Sequence, residues 1–401
     1  MISNEIMRYS LENLKKRKTR SILTIFSILI GITTIFIFVS FGFGLYNYIN
    51  SFVSDSSADK ITIQPRGIGA PGLDDTFALT EDDLKAVEKT SGVYEASGLR
   101  FTVTEISQGS TKKYVFASGL DPKKELFTEL SNVEIFKGRN LEKNERGKVI
   151  LGHNYLVENK IFSKALDIND NIKIEGENLK IVGFYESLGN PQDDSSVYMT
   201  NTQFKEIYND SRGYSMIIAR VDTTNIPQVI NNVEKELRSS RNLEEGKEDF
   251  FVASFEDLLE TYTSALGFVI GFVILIALIS VIVSAINTSN TMITSVLERT
   301  SEIGVLKSIG ARNIEVFNLF LFESGVLGFI SGILGVLGGF LFTEIARKIL
   351  FNLGWSFLAP YYSVELFVGC VLFATITGAI SGVVPAINAS RVNPVEALRH
   401  E

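Results

Sequence analysis

LERTSEIGVLKSIGARNIEVFNLFLFES, residues Leu297–Ser324, is a short polar and amphipathic stretch caught between two long apolar runs. Upstream, Ala265–Ile286 is apolar for 22 residues, and downstream Phe317–Leu341 is nearly as apolar. A helix needs about 20 apolar residues to cross a bilayer core, and each run is long enough. The stretch between them is therefore a tight loop on one membrane face, too short to fold as a domain. Its residues predict a small capped helix. Ser301 is placed to cap the start, with Glu302 in the first turn, where the helix dipole favours an acid. Ile303, Leu306 and Ile309 fall on one side at helical spacing. Gly310 is placed to end the helix in a left-handed conformation, and Asn313, followed by Glu315, to cap the next helix. A stiff amphipathic knob between two membrane helices is suited to push, or be pushed by, another protein.

The same length criterion finds two more spans. Ser21–Leu45 is apolar for 25 residues, longer than the core of a cleaved signal peptide and without its small-residue cleavage site, so it reads as a retained transmembrane helix. Val364–Val384 is the fourth span and is predicted to end at Pro385. Six bases precede the first span (Arg8, Lys15, Lys16, Arg17, Lys18 and Arg20), which holds that end in the cytoplasm. With Ile2, Ile6 and Tyr9 on one face, residues 1–20 read either as a helix lying on the membrane surface or as a solvated basic tail. Four spans put both termini on one side. Trp355, Tyr361 and Tyr362 suit the headgroup level of the outer loop, while Arg347 and Lys348 at its edge depart from the charge rule.

Residues 47–260 hold no spanning run. They carry 36 acids and 25 bases, a net of −11, against +3 for the rest of the chain. An acidic insert between basic apolar ends argues against nucleic acid as a partner, which requires a concentrated basic surface. The single Cys370 excludes an intrachain disulfide, and two distant histidines, His153 and His400, argue against a His-based metal site or a catalytic triad. The insert alternates strand and helix patterns. Strands are expected at Ile61–Ile63, Phe101–Ile106, Lys113–Ala117, Lys148–Leu151, Val197–Met199, Tyr214–Val221 and Phe250–Ala253. Helices are expected after Thr80, near Asn154–Phe162, near Gln203–Tyr208 and over Pro227–Arg238. Asn171–Glu175 and Leu179–Phe184 form a hairpin closed by Gly176-Glu177-Asn178. From Ser254 a helix with Phe255, Leu258, Leu259 and Tyr262 on one side runs without a break into the second span.

The fold class is thus a multi-pass α-helical membrane protein: four transmembrane helices with a large α+β extracytoplasmic domain between the first and second. The expected segments are 1–20 (cytoplasmic), 21–46 (first span), 47–260 (outer domain), 261–286 (second span), 287–313 (cytoplasmic coupling loop), 314–348 (third span), 349–361 (outer loop), 362–384 (fourth span) and 385–401 (cytoplasmic tail).

The run Arg299…Glu302-Ile303-Gly304-Val305-Leu306-Lys307…Ile309-Gly310-Ala311…Glu323 resembles the signature of MacB/FtsX-type ABC transporter permeases. Pro385-Ala386…Ala389…Pro394…Glu396-Ala397-Leu398-Arg399…Glu401 resembles the signature that closes the same family, and Arg20-Ser21…Leu23-Thr24…Gly31 resembles its start. Looser patches lie between, at Gly138-Arg139, Val149–Gly152 and Val182-Gly183. The resemblance implies a non-catalytic permease subunit in the cytoplasmic membrane, a homodimer or a pair with a related permease, served by a separate ATPase that carries ATP and Mg. It implies mechanotransmission: closure of the ATPase dimer pushes the knob, and the first two spans relay the motion to the outer domain, where cargo is exported or extracted. Arg299, Glu302, Ile303, Leu306, Lys307 and Gly310 then form the ATPase-coupling element, with Ile303 and Leu306 as apolar anchors and Glu302 and Lys307 fixing the pose. An outer adaptor protein is a further implied partner. The outer domain would have an outer subdomain, about 105–195, nested in a discontinuous inner one.

Gly328, Gly332, Gly335 and Gly339 in the third span are small residues that let membrane helices approach, as a static seam or a moving one. Glu323 is an acid within the third run, where a charge is costly; it marks either a functional site or a carboxylate bonded to a neighbouring helix. Asp193-Asp194 and Asp74-Asp75 sit among Gly, Pro and Ser and read as solvated loops rather than cation or acid–base sites. The chain lacks G-x-x-x-x-G-K-[ST], so it cradles no nucleotide by that motif and no cofactor is expected on it. Two rival functions are a signalling permease that regulates a cell-wall hydrolase and a secondary transporter. The insert is long for the first, and the second normally shows more spans, internal repeats and broken helices.

Overall fold

A computed structural model describes residues 18–51, 58–66, 78–208 and 213–399. Residues 1–17, the Asp74-Asp75 pair and His400 lie outside it. In chain order the helices are α1 (Lys18–Ser51), α2 (Glu81–Lys89), α3 (Leu126–Ser131), α4 (Asn201–Tyr208), α5 (Ile226–Arg241), α6 (Phe255–Glu298), α7 (Thr300–Ser308), α8 (Asn313–Asn352), α9 (Val364–Ser390) and α10 (Pro394–Arg399). The strands are β1 (Lys60–Pro65), β2 (Val93–Gln108), β3 (Thr111–Leu120), β4 (Ile135–Gly138), β5 (Lys148–Leu151), β6 (Asn171–Ile174), β7 (Glu177–Tyr185), β8 (Val197–Thr200), β9 (Met216–Val221) and β10 (Phe250–Ser254). The chain divides into two units, one of the four long helices and one of Asn47–Ser264 with the short segment Leu350–Phe357.

The second unit is α+β. Its sheet runs β10-β1-β9-β2-β3-β8-β5-β7-β4, with β6 paired to β2 and β7. β2 pairs β9 through Val93–Leu99 and β3 through Arg100–Gln108, so one strand serves two halves. The chain crosses into the outer half at Leu99–Arg100, inside β2, and returns between β8 and β9. In the inner half α2 and α5 pack their buried Val87, Val229, Val233 and Leu237 on Ile61, Ile63 and Phe250 of the sheet. The outer half closes over Val149, Ile172, Ile181, Phe184 and Met199. A third cluster holds Leu99 and Ile218 from the inner half with Leu126, Ile150 and Tyr198 from the outer half. Lys60, fully buried on β1, pairs with Asp59 at 2.7 Å and with Glu129 of α3 at 2.8 Å, and Arg220 of β9 reaches the same Glu129 at 2.8 Å.

Local chemistry explains most elements. Thr80 caps α2 in a reciprocal box: its hydroxyl accepts from the Asp83 N–H at 3.2 Å, and the Asp83 carboxylate accepts from the Thr80 N–H at 2.6 Å. Burial alone would raise the Asp83 carboxyl, but hydrogen bonds from Arg241 and Thr80 outweigh it and hold it below its ordinary value. The β6–β7 hairpin turns on Glu175 (φ 47°) and Gly176 (φ 87°), one residue earlier than the sequence suggests, because two successive positive φ values close a two-residue loop. The helix expected near Asn154–Phe162 is a single 3-10 turn, His153–Leu156. Asn154 Nδ2 and Tyr155 Oη each donate to Ser195, at 2.8 Å, and Asn159 takes a left-handed φ of 60°, which ends any helix there.

In the first unit α1, α6, α8 and α9 are each long and apolar enough to cross a membrane. α6 runs unbroken for 44 residues, from the end of β10 through its apolar stretch to Glu298. α9 continues through Pro385 to Ser390 instead of ending there. Proline removes one amide donor, a loss that membrane helices tolerate when neighbours satisfy the freed groups. α8 uses its glycines in two directions. A Cβ on Gly332 would lie 2.9 Å from Ala374 Cβ of α9, and Gly328 stands directly against the Ala374 carbonyl and Gly378. One turn on, a Cβ on Gly335 would meet Ile32 of α1 at 2.9 Å, and one on Gly339 would meet Phe36 at 2.8 Å.

Candidate functional site

The loop between α6 and α8 is built around Arg299. This residue occupies the N-cap position of α7 with φ −112° and no side-chain cap, so the cap expected from Ser301 is not made. Thr300 instead turns its hydroxyl back to the Leu297 carbonyl at 2.8 Å. The Arg299 side chain points inward and is 4% exposed. Its Nη1 donates to Glu323 Oε2 of α8 at 3.1 Å and its Nε to Glu302 Oε2 at 3.1 Å. Its guanidinium lies 5.1 Å from the centre of the Phe320 ring. Glu323 is therefore a carboxylate bonded to a neighbouring element, the second of the two readings its sequence position allowed. Truncating one partner of such a buried pair costs about 3–5 kcal/mol, because the other charge is left uncompensated.

Lys307 closes the other end. Its Nζ donates to the carbonyls of Ser390 and Val392, both at 2.8 Å, where α9 ends and its free carbonyls carry the negative end of the helix dipole. Ile303 is 2% exposed, packed with Met292 and Val296 of α6, Val316 and Phe320 of α8, and Ala386 and Ala389 of α9. Gly310 ends α7 at φ 107°: its N–H donates to the Lys307 carbonyl at 3.1 Å, and the Ala311 N–H to the Leu306 carbonyl at 3.0 Å. That pair of bonds is a Schellman cap, which requires the left-handed residue glycine supplies. α8 begins at Asn313, and the Glu315 carboxylate accepts from the Arg312 N–H at 2.9 Å.

The three apolar residues expected on one side of α7 thus divide. Ile303 is buried in the chain's own core, Leu306 is half-buried, and Ile309 is 77% exposed, on the face of Val305 four residues before it. The outward face carries Val305 and Ile309, four residues apart, with Glu302 beside them. Sequence reasoning missed Val305, the Phe320 ring and the α9 carbonyls that hold Lys307. Only Val305 left a signal, its i,i+4 spacing to Ile309.

A second cluster in the soluble unit corrects another expectation. Asp193 and Asp194 lie in a 3-10 turn that buries Asp194 and half-buries Asp193, not in a solvated loop. Asp194 is 4% exposed and accepts from the Ser187 hydroxyl at 2.6 Å and the Leu188 N–H at 2.7 Å. Asp193 is half-buried, and burial together with the charge of Asp194 raises its carboxyl above the ordinary value. Glycine and serine, read as signs of solvation, here supply the donors and tight turns that bury the pair. The segment after α8 belongs with this region: the Phe357 N–H donates to the Gly189 carbonyl at 3.2 Å.

Four membrane-length helices, an α+β domain between the first two and a capped, internally anchored loop between the second and third define a multi-pass membrane permease. Residues 21–236 match the family described as MacB-like periplasmic core domain, and residues 274–394 match FtsX-like permease C-terminal. The chain is 32% identical to an uncharacterized ABC transporter permease of Methanocaldococcus jannaschii, over 99% of this chain and 98% of that one. It is 28% identical to the macrolide export ATP-binding/permease protein MacB of Neisseria gonorrhoeae over 99% of its own length, but spans only 61% of that longer protein. The uncharacterized ABC transporter permease YknZ of Bacillus subtilis is 26% identical over 99% of each chain. The crystal structure of the periplasmic region of MacB from Actinobacillus actinomycetemcomitans covers 53% of this chain and 97% of that one, at TM-score 0.43 and 13% identity. The chain belongs to the MacB/FtsX-like family of ABC transporter permeases.

Proposed function

We propose that the chain is the permease subunit of an ATP-driven machine of the mechanotransmission type, resident in the cytoplasmic membrane, with a separate ATPase holding ATP and Mg. The observation that carries this reading is the division of labour in α7. Arg299, Ile303 and Lys307 fasten it to α6, α8 and α9, while Val305, Ile309 and the exposed edges of Glu302 and Leu306 face outward. An element gripped from within and apolar on its free side is built to transmit force from a docked partner. α6 supplies the relay, because one helix joins the last strand of the outer domain to α7. Only 11% of the apolar window of α6 is buried within the chain, against 39% for α8, which suits α6 to lipid and to a second copy in a homodimer. The name of the MacB relatives supports export as the work done; an outer adaptor protein is proposed as a further partner.

The test is to co-purify the chain with its ATPase and compare the parent with the double variant Val305→Ala, Ile309→Ala. Loss of two exposed anchors weakens the complex by about 2 kcal/mol or more, over tenfold in affinity, without lowering the thermal stability of the permease alone. Unchanged association and unchanged ATP hydrolysis by the complex would remove α7 as the docking element.

A further inference from the structure

The soluble unit holds a cavity of about 270 Å³ with five rings in its walls, Phe101 and Phe116 from the β2–β3 hairpin, Phe127 from α3, Tyr198 from β8 and Phe255, beside aliphatic and hydroxyl side chains. Asp193 stands in the same wall. Its Oδ2 accepts one neutral hydrogen bond, from Asn190 Nδ2 at 2.9 Å, and among the described residues no base pairs with it. Asp194 behind it is already satisfied by Ser187 and Leu188 and adds negative charge. We propose that this cavity binds the head of an amphiphilic amine, with the protonated nitrogen on Asp193 and the apolar body among the rings.

The chemistry selects that class. Ring faces attract cations, and a carboxylate without a counter-ion completes the attraction, whereas an anion would meet two acids. A bare metal ion would find a single carboxylate in the lining, and among the described residues no group of three or more His, Cys, Asp or Glu side chains is placed to hold one. An uncharged apolar molecule would leave Asp193 buried with its charge unpaired, which costs free energy. The volume admits one ring or a branched alkyl head rather than a whole drug-sized molecule. Burial and the charge of Asp194 disfavour the Asp193 carboxylate, a charge that a bound cation would favour. Phe255 is the first residue of α6, so an occupant touches the helix that leads to α7. The binding itself rests on the geometry of the soluble unit and not on the ATP-driven reading.

The full chain in detergent is titrated calorimetrically with N,N-dimethylbenzylamine, benzyl alcohol and phenylacetate, three probes of similar body and different charge. The amine is expected to bind about tenfold tighter than the alcohol, and phenylacetate not to bind measurably. Asp193→Asn brings the amine down to the level of the alcohol. Phe116→Lys, which puts the chain's own ammonium into the cavity, abolishes amine binding with thermal stability kept. Equal binding of amine and phenylacetate, an amine preference that survives Asp193→Asn, or no amine binding at all overturns the proposal.

Discussion

Glu323 in the helical unit and Asp193 in the soluble unit are both acids in apolar surroundings, and the chain treats them in opposite ways. Glu323 is given a buried cation, shared with Glu302: Arg299 reaches each at 3.1 Å and is backed by the Phe320 ring. Asp193 is given a neutral amide and a second acid. A buried carboxylate with its own base is a lock, because all of its interaction free energy is spent inside the chain. One without a base holds interaction capacity in reserve for something that comes from outside. The contrast separates structural from ligand-binding acids better than burial alone, since Glu323 is the more buried of the two and the less available.

The largest expected effect tests the lock. Arg299→Ala takes a buried cation away from Glu323 and lowers stability by about 3–5 kcal/mol, while Arg299→Met combined with Glu323→Leu recovers most of the loss. Thermal unfolding of the purified chain reads both, and a double variant as damaged as the single would break the comparison. Next comes the seam beside it. A Cβ on Gly378 would lie 2.8 Å from both the Gly328 Cα and the Ser324 carbonyl, backbone atoms that cannot swing away. Gly378→Val should cost about 1–3 kcal/mol or more, whereas the same change at Gly369, where the space is open, should cost little.

Smaller effects sharpen the comparison within the soluble unit. Glu145 is a paired acid like Glu323: hydrogen bonds from Arg139, at 2.7 Å, and then from Lys148 hold its carboxyl down to about 2. A lowered folded value means that the unfolded chain binds the proton first on acidification. The stabilisation is therefore complete above the ordinary value of 4.5 and drains away as the pH falls towards about 2. Glu145→Gln should lower the melting temperature at neutral pH, and its deficit from the parent should shrink across that window. The smallest effect has the opposite sign. Asp193 has a raised carboxyl, so its ionisation costs stability at neutral pH and that cost is relieved as the pH falls. Asp193→Asn should raise the melting temperature slightly at neutral pH, a gain bought by losing a binding group. A fall instead would place Asp193 with Glu323 among the locks.

What the sequence determined by itself was whatever depends on short-range pattern. Run length read out four membrane helices, and α6 was legible as one rod from Phe255. The Thr80 cap, the Gly310 stop and the strands around residues 60, 150, 198 and 250 follow from a few adjacent residues. So do the motif residues that carry the family resemblance. Only the tertiary structure decided which side chains meet. Arg299 finds Glu323 across 24 positions and Lys307 finds the α9 carbonyls across more than 80, distances at which sequence spacing carries no geometry. The sequence reading puts Ile303 and Ile309 on one side, yet one is core and the other surface, because six residues turn the helix by about 120° and the packing of α6, α8 and α9 covers only the Ile303 side. The helix expected near Asn154–Phe162 gave way to a turn once Ser195 offered its hydroxyl and carbonyl. Asp193 reads as solvated in the sequence, yet five rings from five separate elements stand in the same cavity wall. Each of these outcomes turns on desolvation and on partners supplied by remote segments, and those exist only after the chain has folded.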